Sequence, residues 1–139
     1  MQQTLAIIKP DAVSRLHVGE ILQRIEGEDF TIRALRLTSL TKEQAEGFYA
    51  VHCERPFFNS LTDFMSSGPV VVIALEGPGA IDRWRRLMGE TDPAKAAPGT
   101  LRREYGTAIE NNATHGSDAP DTAAFELNYF FSTLELRTK

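Results

Sequence analysis

Apolar positions along the chain recur either at every second residue or at every third and fourth, and the switches between the two spacings mark its elements. Leu5-Ala6-Ile7-Ile8, inside Thr4–Lys9, is a nearly continuous apolar run that Pro10 stops, as in a buried strand. Val18, Ile21, Leu22 and Ile25 share one face of a helix ending near Gly27. Phe30, Ile32 and Ala34 alternate with polar residues like a half-buried strand, and a phase shift at Leu35 and Leu37 predicts a bulge there. Thr41-Lys42-Glu43-Gln44 reads as the start of a helix reaching about Tyr49, with Thr41 or a neighbour as its cap. Phe57, Phe58, Leu61, Phe64 and Met65 form a second helical stripe after Pro56, closed by the Gly68-Pro69 turn. Val70-Val71-Val72-Ile73-Ala74-Leu75 is the strongest strand signal. Pro78 is predicted to open a helix with Ile81, Trp84, Leu87 and Met88 on its apolar side.

From Gly89 to about Asn111 the pattern fades, punctuated by Pro93, Pro98, Gly99 and Gly106. An excursion of this length within a compact domain is often functional. A short strand around Ala113 to His115 follows, then a helix capped by Asp118 or Ser117 and running to about Asn128. The tail from Phe130 begins apolar and ends charged. Four strands with interleaved helices predict an α/β (α+β) sandwich: a four-stranded antiparallel sheet covered by helices, in the ferredoxin-like βαββαβ order. Periodicity alone leaves other small α/β arrangements open. The 139 residues suit one domain spanning 1–139, and no repeat or linker divides them.

Hydrophobic content of 42% and charged content of 24% are ordinary for a globular protein. No apolar run is long enough to span a bilayer, and Met1-Gln2-Gln3-Thr4 lacks the features of a signal peptide. The single cysteine, Cys53, excludes an intramolecular disulfide, so a cytoplasmic protein is expected. In that setting the glycosylation pattern Asn112-Ala113-Thr114 is accidental. A net charge of −4 and a pI near 5.4 do not favour a protein that coats nucleic acid. Local charge differs: Lys9, Arg55, Arg85 and Arg102 each lie in a structurally special segment. Convergence of these four would make a positive pocket suited to a small polyanion.

The run Asn112-Ala113-Thr114-His115-Gly116-Ser117-Asp118, followed by Glu126, carries the most chemistry. Glu126 falls about two turns along the helix that begins there. Imidazole is a nucleophile at neutral pH when one nitrogen is unprotonated and the other is held by a partner. A covalent intermediate on His115 is therefore expected, with Gly116 leaving space beside the ring and Glu126 reaching back to orient it. His17 and His52 read as surface or packing residues, and one cysteine with scattered histidines is a poor zinc set. No metal site made by protein ligands is expected. Gly77-Pro78-Gly79 superficially suggests a dinucleotide fingerprint, but Asp82 holds the third glycine position and Pro78 lacks an amide donor, so a tight turn fits better. No Gly-Lys pair exists, so nucleotides are not held by a P-loop. Taken singly, Lys9, Arg85 and Arg102 read more readily as solvated charges than as phosphate contacts. Phe57-Phe58 reads as core, or as a pair with one ring free to stack on any base.

Together these segments resemble the nucleoside diphosphate kinases. The resemblance is carried by Thr4 to Val13 with its Lys9-Pro10-Asp11 core, Glu54-Arg55-Pro56-Phe57-Phe58, Ser67-Gly68-Pro69-Val70 and Leu87-Met88-Gly89-Glu90-Thr91. Pro98-Gly99-Thr100-Leu101-Arg102 and the His115 run complete the set, in order along nearly the whole chain. It implies transfer of the γ-phosphate of a nucleoside triphosphate, mainly ATP, to nucleoside diphosphates by a ping-pong route through phosphohistidine at His115. Glu126, with Ser117, would orient and polarise the ring. Lys9, Tyr49, Arg102 and Asn112 match contacts to sugar and phosphates, Arg85 and Thr91 match β-phosphate contacts, and Arg55 matches a supporting basic position. Phe57 matches the aromatic that stacks on the base, with Ile109 closing the other side. Mg2+ would be held mainly by the nucleotide phosphates. The family forms mostly tetramers or hexamers, which implies a homo-oligomer. Asn111 stands where the family commonly has arginine, Glu110 where it often has glycine, and Ala119 where serine is frequent. Two other readings, a non-catalytic nucleotide binder and a ferredoxin-like nucleic-acid binder, are disfavoured. His115, Glu126 and Lys9 are all present, the balance is acidic, and no basic aromatic strand face appears.

Overall fold

A computed structural model describes residues 1–137. Its centre is a four-stranded sheet of β1 (Gln2–Ile8), β2 (Thr31–Thr38), β3 (Val70–Gly77) and β4 (Thr114–Gly116) in the order β2-β3-β1-β4. Every neighbouring pair is antiparallel. This is the expected ferredoxin-like arrangement. β1 and β3 lie in the middle and are buried on both faces, which is why their sequences are apolar without alternation. Leu5 and Ile7 point into one core, Ala6 and Ile8 into the other.

On one face lie α2 (Val18–Gly27), α5 (Ala80–Met88) and α6 (Leu101–Tyr105), packed around Ile21, Ile25, Trp84 and Leu101. On the other lie α3 (Lys42–Phe48), α4 (Phe58–Met65) and α7 (Pro120–Phe130), packed around Phe48, Met65 and Leu127. A 3-10 turn, Ala50–His52, links α3 to α4, and a last short helix, α8 (Thr133–Leu136), lies near β2. α3 begins with the reciprocal cap expected there: the Gln44 amide donates to Thr41 Oγ1 at 3.1 Å, and the Thr41 amide donates to Gln44 Oε1 at 2.9 Å.

Four expectations need correction. Pro10 does not merely end β1; it occupies the first position of a short helix, α1 (Pro10–Ser14), where its missing amide is harmless. The bulge in β2 lies between Ile32 and Ala34 rather than at Leu35 and Leu37. There Arg33 leaves the pairing and its guanidinium donates to buried Glu76 at 2.7 Å. α5 starts two residues after Pro78, behind Gly79, which takes the left-handed conformation (φ 56°). α7 is capped by neither Ser117 nor Asp118. Ala119 is its N-cap, Pro120 its first residue, and Thr122 Oγ1 accepts from the Ala119 amide at 3.0 Å. Within the Gly89–Asn111 excursion the fold adds α6, which carries Arg102.

Candidate active site

β4 pairs with β1 so that His115 lies opposite Ile7, and its ring enters the α3/α7 side of the sheet. There it meets Phe48 edge-on at 5.3 Å between ring centroids and Tyr49 at 6.0 Å. Glu126, on α7, supplies the polar partner: Nε2 of His115 lies 2.9 Å from Glu126 Oε1. An ionised carboxylate only accepts, so this contact places the ring proton on Nε2 and leaves a lone pair on Nδ1. Ser117 Oγ donates to the same carboxylate oxygen at 2.8 Å and accepts from the Leu5 amide at 3.2 Å. The orienting carboxylate is thus anchored to the central strand through a fully buried serine.

Gly116 does not open space beside the imidazole, contrary to expectation. Neighbouring strand residues face opposite ways, so Gly116 faces Trp84 and Met88 on α5. A Cβ there would lie 2.5 Å from Trp84 Cδ1 and 2.6 Å from Met88 Cε. The glycine admits the indole, whose Nε1 donates to the His115 carbonyl at 3.1 Å.

Three of the four predicted cations gather beside this strand. Lys9, buried at the end of β1, donates to Asn112 Oδ1 at 2.8 Å. Asn112 Nδ2 donates in turn to the Thr91 carbonyl at 3.0 Å. Burial, chiefly, and the Arg102 charge hold the Lys9 pKa down at about 8, against the pull of Asp11 and Glu110. Arg102 donates to the carbonyls of Gly89 and Thr114, each at 3.0 Å, while its Nε is buried without a partner. Burial, then the neighbouring Arg85, bring its pKa to about 10. Arg85 is exposed and pairs with Asp118 at 3.0 Å. With Thr91, Gly89 and Arg102 it lines an open groove of about 430 Å³. The Tyr49 hydroxyl is buried without a partner, and burial followed by the Glu126 charge raises its pKa. Buried, unused donors beside cations suit the oxygens of a polyanion.

Arg55 is exposed on the turn before α4, and among the described residues it makes no ion pair or side-chain hydrogen bond with this group. Phe57 and Ile109 are both exposed, as residues awaiting an apolar ligand face would be. Their segments are tied together, because Ser60 Oγ lies 2.8 and 3.0 Å from the two carboxylate oxygens of Glu110. Sequence reasoning missed Phe48, Trp84 and Asp11 as parts of this neighbourhood. For Trp84 the signal was a lone buried indole needing an acceptor. Phe48 and Asp11 gave none, since their partners lie far along the chain. Among the described residues no three His, Cys, Asp or Glu side chains converge. Three acids near the site are engaged: Asp118 with Arg85, Glu126 with His115, Glu110 with Ser60.

Comparison with known proteins gives the family and the fold. A family model described as nucleoside diphosphate kinase matches residues 2–136. The nucleoside diphosphate kinase of Desulfovibrio desulfuricans is 62% identical over 136 residues, covering 98% of each chain. That of Desulfosudis oleivorans is 59% identical over 136 residues, again covering 98% of each. Among solved structures, the Aquifex aeolicus nucleoside diphosphate kinase superposes with a TM-score of 0.94 at 47% identity, over 96% of this chain and 97% of that one. A halophilic nucleoside diphosphate kinase from Halobacterium salinarum, in complex with CDP, gives a TM-score of 0.94 at 37% identity, over 99% of this chain and 92% of that one.

Proposed function

The chain belongs to the nucleoside diphosphate kinase family and is a nucleoside diphosphate kinase, and from that premise we propose how its own residues divide the work. The reaction moves the γ-phosphate of a nucleoside triphosphate to a nucleoside diphosphate in two half-reactions through a phosphohistidine. His115 is the residue that carries the phosphoryl group. The observation that carries this reading is the Nε2–Glu126 hydrogen bond of 2.9 Å, which leaves Nδ1 as the free nucleophile.

In the first half-reaction the Nδ1 lone pair attacks the γ-phosphorus and the bond to the β–γ bridging oxygen breaks. The diphosphate leaves with that electron pair. Positive charge develops on the ring and is met by Glu126, held in place by Ser117. In the second, a terminal oxygen of the acceptor diphosphate attacks the phosphorus and the electrons of the N–P bond return to Nδ1. Positioning and charge neutralisation carry most of such a transfer. Lys9, Arg102 and Tyr49 present donors to the transferring phosphate and sugar, with Asn112 aligning Lys9, and Arg85 and Thr91 meet the β-phosphate. Phe57 stacks on the base and Ile109 closes the other side, which requires no base-edge hydrogen bond and tolerates every base.

A divalent cation accompanies the nucleotide in this family, and Mg2+ is the ion we infer. The residues fit an ion carried on the phosphates rather than caged by protein, since no carboxylate cluster converges among the described residues. Bound there, it would neutralise phosphate charge. The chain works as one domain and assembles as a homo-oligomer, a tetramer or hexamer; exposed Leu35 and Leu37 on the edge strand β2 support self-association. Among the described residues no helix is long and apolar enough to cross a membrane. The single cysteine favours a cytoplasmic setting, and the net charge of −4 argues against a nucleic-acid partner. The test is exposure of the wild type and His115→Ala to ATP followed by mass spectrometry. The wild type gains one acid-labile phosphate on His115 that any nucleoside diphosphate removes, and His115→Ala gains none. Normal turnover by His115→Ala would falsify the assignment.

A further inference from the structure

Between Asn112 and His115 the backbone adopts a shape that its residues disfavour. Ala113 has a φ of 73°, in the left-handed region, and is fully buried. Across it the Thr114 amide donates to the Asn112 carbonyl at 2.9 Å, a three-residue turn of the rare, strained hand. Alanine has no polar side chain to support that conformation locally, as asparagine or aspartate would. The surroundings must hold it.

Two contacts do so, both from the junction of β1 and α1. The Lys9 amide donates to the Ala113 carbonyl at 2.8 Å. On the other side of the same residue, Asp11 Oδ2 accepts from the Ala113 amide at 3.1 Å, across 102 positions of sequence. Asp11 is half-buried and its second oxygen, Oδ1, is buried without a partner. Burial pushes its carboxyl up, and the Ala113 amide is the largest influence drawing it back. The turn pinned in this way carries Asn112 on one side, bonded to Lys9, and leads into His115 on the other.

We propose that Asp11 is a positioning residue for phosphoryl transfer: its carboxylate clamps the Ala113 amide and so fixes the strained turn that sets Asn112 and His115 against Lys9. It touches no substrate. The inference rests on the reading of His115 as phosphoacceptor.

The experiment measures single-turnover labelling with radiolabelled ATP at saturating nucleotide, alongside the unfolding midpoint of each variant. Asp11→Ala leaves a buried amide unpaired, and its labelling rate is expected to fall about 10- to 100-fold. Asp11→Asn removes the charge but keeps an acceptor, and recovers to within about threefold of wild type. Adding Ala113→Gly to Asp11→Ala restores at least tenfold of a hundredfold loss, roughly, because glycine takes positive φ without strain. Labelling of Asp11→Ala at the wild-type rate overturns the proposal. So does Asp11→Asn as slow as Asp11→Ala, which would mean that charge on Lys9 rather than the turn is what matters. So does failure of the glycine to help, which would mark a general loss of fold. Where Asp11→Ala does not fold, Asp11→Asn decides: a loss of more than about tenfold rejects the clamp. A parallel His115→Ala arm separates the two readings. Label on that variant sinks the phosphoacceptor assignment, whereas no label there with full-rate Asp11→Ala sinks only the clamp.

Discussion

Lys9 turns the burial of this site into a measurable pH dependence. The fold holds its pKa at about 8 in place of 10.5, first through desolvation and then through Arg102. The folded-state value lies below the unfolded one, so charged Lys9 is the form that folding disfavours. That penalty is fully present below about pH 8 and is relieved as the pH rises towards 10.5. The interval corresponds to roughly 3 kcal/mol, set by the ammonium's lost hydration and then by the Arg102 charge. On the proposed reading a bound polyphosphate supplies the missing counter-charge, so nucleotide binding and protonation of Lys9 should be linked. Near pH 8 about half of the free enzyme carries neutral Lys9, and one pH unit higher only about a tenth remains charged. Nucleotide affinity should therefore fall about tenfold per pH unit above this break, with uptake of a proton on binding. The terminal phosphate finishes its own ionisation near pH 6 to 7, roughly, and does not obscure the window. Arg102, at about 10, titrates above it. Calorimetry of ADP binding across the break, in buffers of differing ionisation enthalpy, reads both quantities. Lys9→Arg, whose guanidinium stays charged throughout, should abolish the break. A dissociation constant that stays flat through one and a half units above pH 8, with no proton uptake, would refute the assignment of desolvated charge to Lys9.

Two further outcomes follow from packing and exposure. Phe57→Ala should weaken binding of every nucleotide by about 1–3 kcal/mol while leaving turnover at saturation nearly intact; unchanged dissociation constants would remove the stacking role. Gly116→Ala drives a methyl into Trp84 and Met88 and should destabilise the fold by about 1–3 kcal/mol; an unaltered denaturant midpoint would show that the indole can move aside freely.

What the sequence revealed and what it hid differ by the range of the interactions involved. β1 and β3 were legible because strands buried on both faces must be apolar throughout, and α2 and α3 because spacing and caps are local. The bulge was misplaced because the residue that leaves the pairing, Arg33, is tied to Glu76 on the neighbouring strand, a contact that alternation along β2 cannot register. Ser117 and Asp118 looked like caps for α7, but the fold employs them on Glu126 and Arg85 instead. Gly116 was recognised as meaningful and given the wrong neighbour, since facing directions become certain only once the strand register is known. Asp11 shows the limit most clearly. In sequence it stood only within the Lys9-Pro10-Asp11 block, and the short helix whose first turn it occupies was not foreseen. Its bond to Ala113 depends on β1 and β4 meeting in the sheet.

An acidic protein can still receive a polyanion because its cations rest mostly on neutral acceptors. Lys9 is held by the Asn112 amide oxygen, and Arg102 by two backbone carbonyls. Breaking a buried ion pair by taking away one partner costs about 3–5 kcal/mol, so buried carboxylate partners here would oppose every binding event. The one carboxylate pair of these cations among the described residues, Arg85–Asp118, is exposed, where such pairs are worth about 0–1 kcal/mol and yield easily to phosphate. Glu126 is the exception, and its chemistry explains why: it faces the ring on which positive charge must form, not the phosphates that bring negative charge. On the proposed division of work, neutral acceptors keep the cations in place for substrate, and the carboxylate of Glu126 is kept for the nucleophile.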